Sequence, residues 1–261
     1  MAKKSNTLSF MQGLVKELDD EYINVAADGL SSAEFSGFID SGSLAFNGLV
    51  SGSMFGGIAD NKAVVLAGES ATGKTYFTLG ICKHFLDQHK DSFVFYFDTE
   101  AAVTNQMLTE RGIDPSRFIT GEPETIQQFR TKALNVIEKY TQTPENARPK
   151  MLMVLDSLGA LSTNKEMDDS STGNDKRDMT RQQLIRGTFR TVRLRLAKAK
   201  IPLIVTNHTY LGVGSMFPTQ EMSGGGGVKY AGDTILFLSK KKEKNSMPHI
   251  VTGKQIGRAH V

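Results

Sequence analysis

The sequence predicts an α/β protein: a mostly parallel, twisted sheet with helices on both faces, preceded by a short N-terminal helical arm. Three observations predict it. Five short apolar runs, at 63–67, 92–98, 151–156, 201–206 and 233–238, lack the alternation of half-exposed strands, as strands buried on both faces do. Helix-length stretches separate several of them, and sheets connected that way are parallel. A glycine-bearing turn follows the first run and opens the first of those helices.

Taken in order, residues 8–25 carry Phe10, Leu14, Leu18 and Tyr22 at four-residue spacing, which predicts an amphipathic helix. Residues 26–57 are rich in Gly, Ser and Asp, with isolated Phe35, Phe38, Phe46 and Phe55, and are expected to form an irregular arm. Helices are expected from the glycine turn to about residue 89, over 124–140 and over 176–200. In the last, Ile185, Phe189, Val192 and Leu196 make one apolar stripe, and Arg186, Arg190 and Arg193 lie on another face. Two long polar stretches, 162–175 and 209–229, each follow a strand and are expected to lack regular structure; loops of that length serve function or are disordered. No internal repeat is evident, so one core is expected, not two domains.

The bulk properties exclude some classes. With 261 residues, 39% hydrophobic and 23% charged, the chain can bury a sizeable core. No apolar run approaches the roughly 18 residues of a membrane helix, and the polar N-terminus does not read as a signal peptide. Cys82, the single cysteine, cannot form an internal disulfide and suits a reducing cytoplasm. A net charge of +3 permits nucleic-acid binding without arguing for it.

Gly68, Glu69, Ser70, Ala71, Thr72, Gly73, Lys74 and Thr75 fit GxxxxGK[ST] without a mismatch. The glycines let backbone amides turn toward phosphates at a helix N-terminus. In the role the motif assigns, Lys74 bridges the β- and γ-phosphates of ATP and the Thr75 hydroxyl ligates Mg2+. The plain alternative is a chance glycine turn, against which stand the strand before it and the helix after. Asp156 ends a buried-type run, where a carboxylate is costly unless a cation meets it; Mg2+ would supply one, although Asp156 could instead cap the next segment. Asp98, Thr99 and Glu100 close another run. Glu100 is expected to orient the attacking water, and Asp98 to cap the next helix or support the site. His208 ends the fourth run, where it could sense the γ-phosphate or be merely structural.

The ordered segments GESATGKT, FYFDTE, MLMVLDSLGAL, LIVTNHTY and SGGGGVKYAGD resemble the core of the RecA recombinase family over about residues 35–240. His208, where bacterial RecA has Gln, together with DMTR and NHTY, looks more like the phage branch, the UvsX recombinases of T4-like phages. The resemblance implies a RecA-type P-loop ATPase core at 37–254 and an N-terminal helix and oligomerisation arm at 1–36. It also implies a DNA-dependent ATPase forming helical homo-oligomer filaments on single-stranded DNA and pairing it with homologous duplex DNA in recombination and repair. A single-strand-binding protein and a loading mediator would be further partners, with no membrane involved.

By the same resemblance, 162–175 and 209–229 would be the DNA-binding loops. The residues agree in part. Lys176, Arg177 and Arg181 crowd a helix start, as phosphate contacts require, although a solvated basic face would look the same. Met216 and Phe217, beside Gly225, Gly226 and Lys229, suit stacking or wedging between bases, or a lid whose Phe tucks inward. Met107 stands where the family usually stacks an aromatic on adenine. Gln255 to Val261 reads like a translated sequencing-adapter end, so native sequence is expected to stop near Lys254, leaving the core incomplete and 255–261 non-native. Two other readings stay open: a hexameric helicase-type motor, and a non-catalytic regulatory ATPase or mediator.

Overall fold

A computed structural model describes residues 2–20, 23–28, 34–173, 178–211 and 220–240, with the backbone alone at 2–6 and 211. Helix α1 (Ala2–Leu18) comes first. Strands β1 (Phe38–Ile39) and β2 (Ile58–Ala59) pair antiparallel on either side of α2 (Leu44–Ser51) in the chain. The core then runs β3 (Ala63–Gly68), α3 (Lys74–Gln88), β4 (Ser92–Asp98), α4 (Asn105–Glu110), β5 (Phe118–Gly121) and α5 (Ile126–Thr141). After it come β6 (Lys150–Asp156), α6 (Asn164–Ser171), α7 (Arg181–Lys198), β7 (Leu203–Leu211), β8 (Gln220–Met222) and β9 (Thr234–Leu238).

The strand order is β5-β4-β6-β7-β3-β9 with every neighbouring pair parallel, and β8 adds antiparallel to the end of β7. The five apolar runs are β3, β4, β6, β7 and β9, so the expected α/β architecture is the one observed. Both faces are covered, which explains the missing alternation. Val65, Phe97, Met153 and Leu155 point into a cluster with Phe129 of α5 and Ile185, Phe189, Val192 and Leu196 of α7. Val64, Leu66, Val94, Tyr96 and Val154 point the other way, against Leu79, Cys82 and Phe85 of α3 and Leu108 of α4. Each fully buried side chain of this size contributes roughly 1.5–3 kcal/mol.

Parallel register sets the functional edge. Asp98 lies opposite Asp156, and Gly68 opposite His208. The phosphate-loop strand β3 is thus separated from the Asp156 strand β6 by β7, and all these strands end on one rim.

Several boundaries differ from expectation. The first helix covers Ala2–Leu18 rather than 8–25; Asp19 takes a positive φ of 47°, which a right-handed helix cannot continue through. Its stripe faces outward, with Phe10 71%, Leu14 46% and Leu18 52% exposed, while Tyr22 lies outside the described residues. The arm at 26–57 is not wholly irregular: α2 is capped by the Ser43 hydroxyl on the Phe46 amide. Nor does 162–175 lack structure. It holds α6, closed by a capping box in which Thr163 and Glu166 satisfy each other's amides. The 176–200 helix starts at Arg181, after Asp178 has taken the Thr180 amide and hydroxyl in a turn. In 209–229, β7 continues to Leu211, β8 returns against it, and a 3-10 segment spans Gly225–Tyr230. The non-native tail expected at 255–261 lies outside the described residues.

Candidate nucleotide site

The loop joining β3 to α3 has the shape its glycines allow. A Cβ on Gly68 would stand 2.5 Å from the Leu238 carbonyl of neighbouring β9 and 2.8 Å from the Thr72 hydroxyl, so only glycine fits there. Gly73, at φ 89°, enters α3 from the left-handed region. Lys74 is buried, and its ammonium donates to the carbonyls of Gly68 at 2.9 Å and Glu69 at 2.8 Å. Burial lowers its pKa, opposed by the carboxylates of Asp156 and Glu100. Thr72 closes the loop onto the Glu69 carbonyl, and Lys240, just past β9, donates to the Ser70 carbonyl at 2.8 Å. Thr75 is half-buried in the first turn of α3.

Asp156 is buried at the tip of β6. The Tyr96 hydroxyl donates to its Oδ2 at 2.6 Å and the Thr206 hydroxyl to its Oδ1. Both donors escaped sequence reading, because each lies on a different neighbouring strand. Burial first, and Asp156 second, push the Tyr96 phenol well above its ordinary range, so it remains a donor. Asp98 does not cap α4, whose N-cap is Thr104. Its carboxylate instead accepts the amides of Glu100 at 3.2 Å and Val103 at 2.8 Å, shaping the turn that presents Glu100.

Glu100 Oε1 accepts from the Ser157 hydroxyl at 2.6 Å and from His208 Nε2 at 2.9 Å. Partial burial opposes its ionisation, but the bonds from His208 and Ser157 outweigh that and hold its carboxyl below the usual glutamate range. The structure therefore joins Glu100 and His208, 108 residues apart in sequence. It also extends the link: the Ser223 amide donates to the His208 carbonyl at 2.8 Å, and the Asn207 amide side chain donates to the Ser223 carbonyl at 2.9 Å. The glycine-rich segment is thus tied directly to the tip of β7. Met107 is half-buried against the apolar cluster beneath α3 and α4.

The residues fit a magnesium nucleotide. Thr75 and Asp156 offer hard oxygen donors, and among the described residues no cluster of three or more His, Cys, Asp or Glu makes a self-sufficient metal cage. Magnesium commonly uses one or two protein oxygens together with phosphates.

Further along the rim, a cleft of about 510 Å³ opens between α6, the start of α7 and the end of β7. Glu166, Met179, Arg181, Gln182, Tyr210 and Gly224 are among its lining residues. Arg181 is not a free cation: its guanidinium bonds Glu166 at 3.0 Å and the Gly159 carbonyl at 3.3 Å. Gly225 stands over the Gln182 side chain, while Gly226 and Lys229 are exposed. Lys176, Arg177, Met216 and Phe217 lie outside the described residues. Sequence reading missed Met179 and Tyr210, which are 84% and 44% exposed at the cleft.

Among the described residues no helix is long and apolar enough to cross a membrane. A family model described as the RecA N-terminal domain matches residues 14–256. The chain is 30% identical over 202 residues to the "Recombination and repair protein" of Enterobacteria phage T4, covering 77% of this chain and 49% of that protein. It is 27% identical over 175 residues to "Protein RecA" of Malacoplasma penetrans (strain HF-2), covering 66% and 48%. "Protein RecA" of Agrobacterium fabrum is 26% identical over 175 residues, covering 66% and 44%. The chain spans about half the length of the curated relatives it matches. A phosphate loop on β3, an acid at the tip of β6, the Glu100–His208 contact across the rim and this match together place the chain in the RecA N-terminal domain family.

Proposed function

We propose that the chain is the ATPase core of a DNA recombinase, one that assembles on single-stranded DNA with ATP bound and pairs it with homologous duplex. The observation that carries this reading is the continuous connection from Glu100 through His208 to Ser223 and the glycine-rich segment. It gives nucleotide state a physical route to a polymer-binding surface.

Bound MgATP would supply the phosphoanhydride and the charge that Lys74, Thr75, Asp156 and the loop amides hold. Lys74 is positioned by two carbonyls, weak partners that phosphate oxygens can replace. Glu100, kept ionised by its two donors, is the group able to take a proton from water and aim it. A His208 that left Glu100 for the γ-phosphate would move the β7 tip and, through Ser223, the segment beyond. At the cleft, Arg181 is neutralised by Glu166, and Asp178 adds a second carboxylate. DNA would be held there by contact with Met179 and Tyr210, and Lys229, Lys176, Arg177, Met216 and Phe217 are the further DNA contacts of this reading. The outward stripe of α1 would dock on a neighbouring copy. A cytoplasmic location, in the host where a phage encodes the chain, and help from a single-strand-binding protein and a loading mediator belong to the same reading.

Electron microscopy of the chain with long single-stranded DNA and a slowly hydrolysed ATP analogue tests it. Helical filaments that disappear with ADP are expected. Closed rings would favour a helicase-type motor, and nucleotide binding without any DNA-dependent assembly would favour a regulatory ATPase; either overturns the recombinase reading.

A further inference from the structure

The turn that follows β6 is bonded to the nucleotide site at one end and to the cleft at the other. Ser157 is buried beside Asp156, and its hydroxyl donates to Glu100 Oε1 at 2.6 Å. Thr99 clamps the same residue: its hydroxyl accepts the Ser157 amide at 2.7 Å and donates to the Ser157 carbonyl at 2.9 Å. A 3-10 turn follows at Leu158–Ala160, anchored by Leu158 in the core. Within it Gly159 lines the cleft, and its carbonyl accepts from one arm of the Arg181 guanidinium at 3.3 Å. The other arm bonds Glu166 at 3.0 Å. Gly159 is also fitted closely to the tip of β7, since a Cβ there would stand 3.1 Å from both Asn207 Oδ1 and His208 Cδ2.

Arg181 is therefore a fork between two acceptors, of which only Glu166 is charged. A phosphate entering the cleft competes for the guanidinium, and a charged acceptor outbids a neutral carbonyl. Once Arg181 turns to that phosphate, Gly159 loses its donor, while Ser157 at the other end of the same short turn still holds Glu100. We infer that Arg181 is a positioning residue for Glu100, acting through the Gly159 carbonyl and Ser157, and that this turn couples nucleic-acid phosphate in the cleft to the nucleotide site. The path runs beside the one through His208 and Ser223, meeting it at Glu100 and where Gly159 packs on the β7 tip. It rests on the recombinase reading above, which supplies both ligands.

The experiment measures, by fluorescence anisotropy, the affinity for a short oligodeoxythymidylate with and without magnesium and a non-hydrolysable ATP analogue. The ratio of the two affinities is the coupling, and in wild type the analogue is expected to tighten binding about five-fold or more. Arg181→Lys keeps the charge but, as a point cation, cannot bridge Glu166 and the Gly159 carbonyl as the planar fork does. It should cut the ratio at least about three-fold, whatever it does to either affinity alone. Ser157→Ala leaves Arg181 in place and removes the bond to Glu100, and should cut the ratio similarly. The double variant should cut it no further, because both substitutions break one path. Should Ser157→Ala not fold, the ratio in Arg181→Lys alone decides. A ratio unchanged in either folded single variant, or losses that multiply in the double variant, overturns the inference and leaves the recombinase reading standing. A wild-type chain whose oligonucleotide affinity ignores the nucleotide overturns that reading, and this inference with it.

Discussion

Lys74 shows at the scale of one residue how the site is arranged for a ligand rather than for stability. A buried ammonium with lowered pKa is costly to fold around, and only backbone carbonyls satisfy it. Lys74→Met should therefore unfold no earlier than wild type without nucleotide, yet lose the rise in melting temperature that MgATP gives wild type. Thermal shift with and without MgATP measures both. Glu100 makes the opposite argument. Its pKa in the fold lies below the ordinary 4.5, so it stabilises the fold above that pH and loses the contribution as pH falls through the folded value. The stability gap between wild type and Glu100→Gln, by urea unfolding from pH 7 to pH 3, should narrow on acidification; a constant gap would show that the His208 and Ser157 bonds do not favour the carboxylate. The motif residues were legible because their spacing is local. Tyr96 and Thr206 were not, since nothing near Asp156 in sequence announces donors from β4 and β7.

Among the elements, one hydroxyl links α6 to the turn that opens α7, beside the Arg181–Glu166 ion pair. Thr163 caps α6 by accepting the Glu166 amide at 3.1 Å and donates to Asp178 at 2.8 Å. Thr163→Ala should cost about 1–2 kcal/mol, the usual worth of a cap, measured by chemical denaturation; a change below about 0.5 kcal/mol would mean that water replaces both bonds. The T-x-x-E spacing of Thr163 and Glu166 was itself a readable start signal, masked by the polar composition around it. The ion pair of Arg181 was hidden for a different reason. Sequence reading places a cation on a helix but cannot see the Glu166 carboxylate brought to it by α6.

For the whole molecule, the proposed assembly rests on the outward apolar stripe of α1, which leaves Phe10 mostly exposed and Leu14 and Leu18 about half exposed in their own chain. Phe10→Ser with Leu14→Ser should leave unfolding free energy within about 0.5 kcal/mol of wild type while abolishing DNA-dependent assembly in sedimentation. A destabilised but still assembling variant would place the stripe in the monomer core instead.

From sequence alone came the α/β class, the two-faced burial of the strands, the phosphate loop and the acids at strand ends. All of these rest on periodicity or spacing over a few residues, which backbone geometry translates directly into structure. Tertiary structure alone decided that β7 lies between β3 and β6, that His208 meets Glu100, and that Ser223 ties the glycine-rich segment to them. Those contacts join residues from 15 to 108 positions apart, and only the packing of the sheet and its helices brings them within reach.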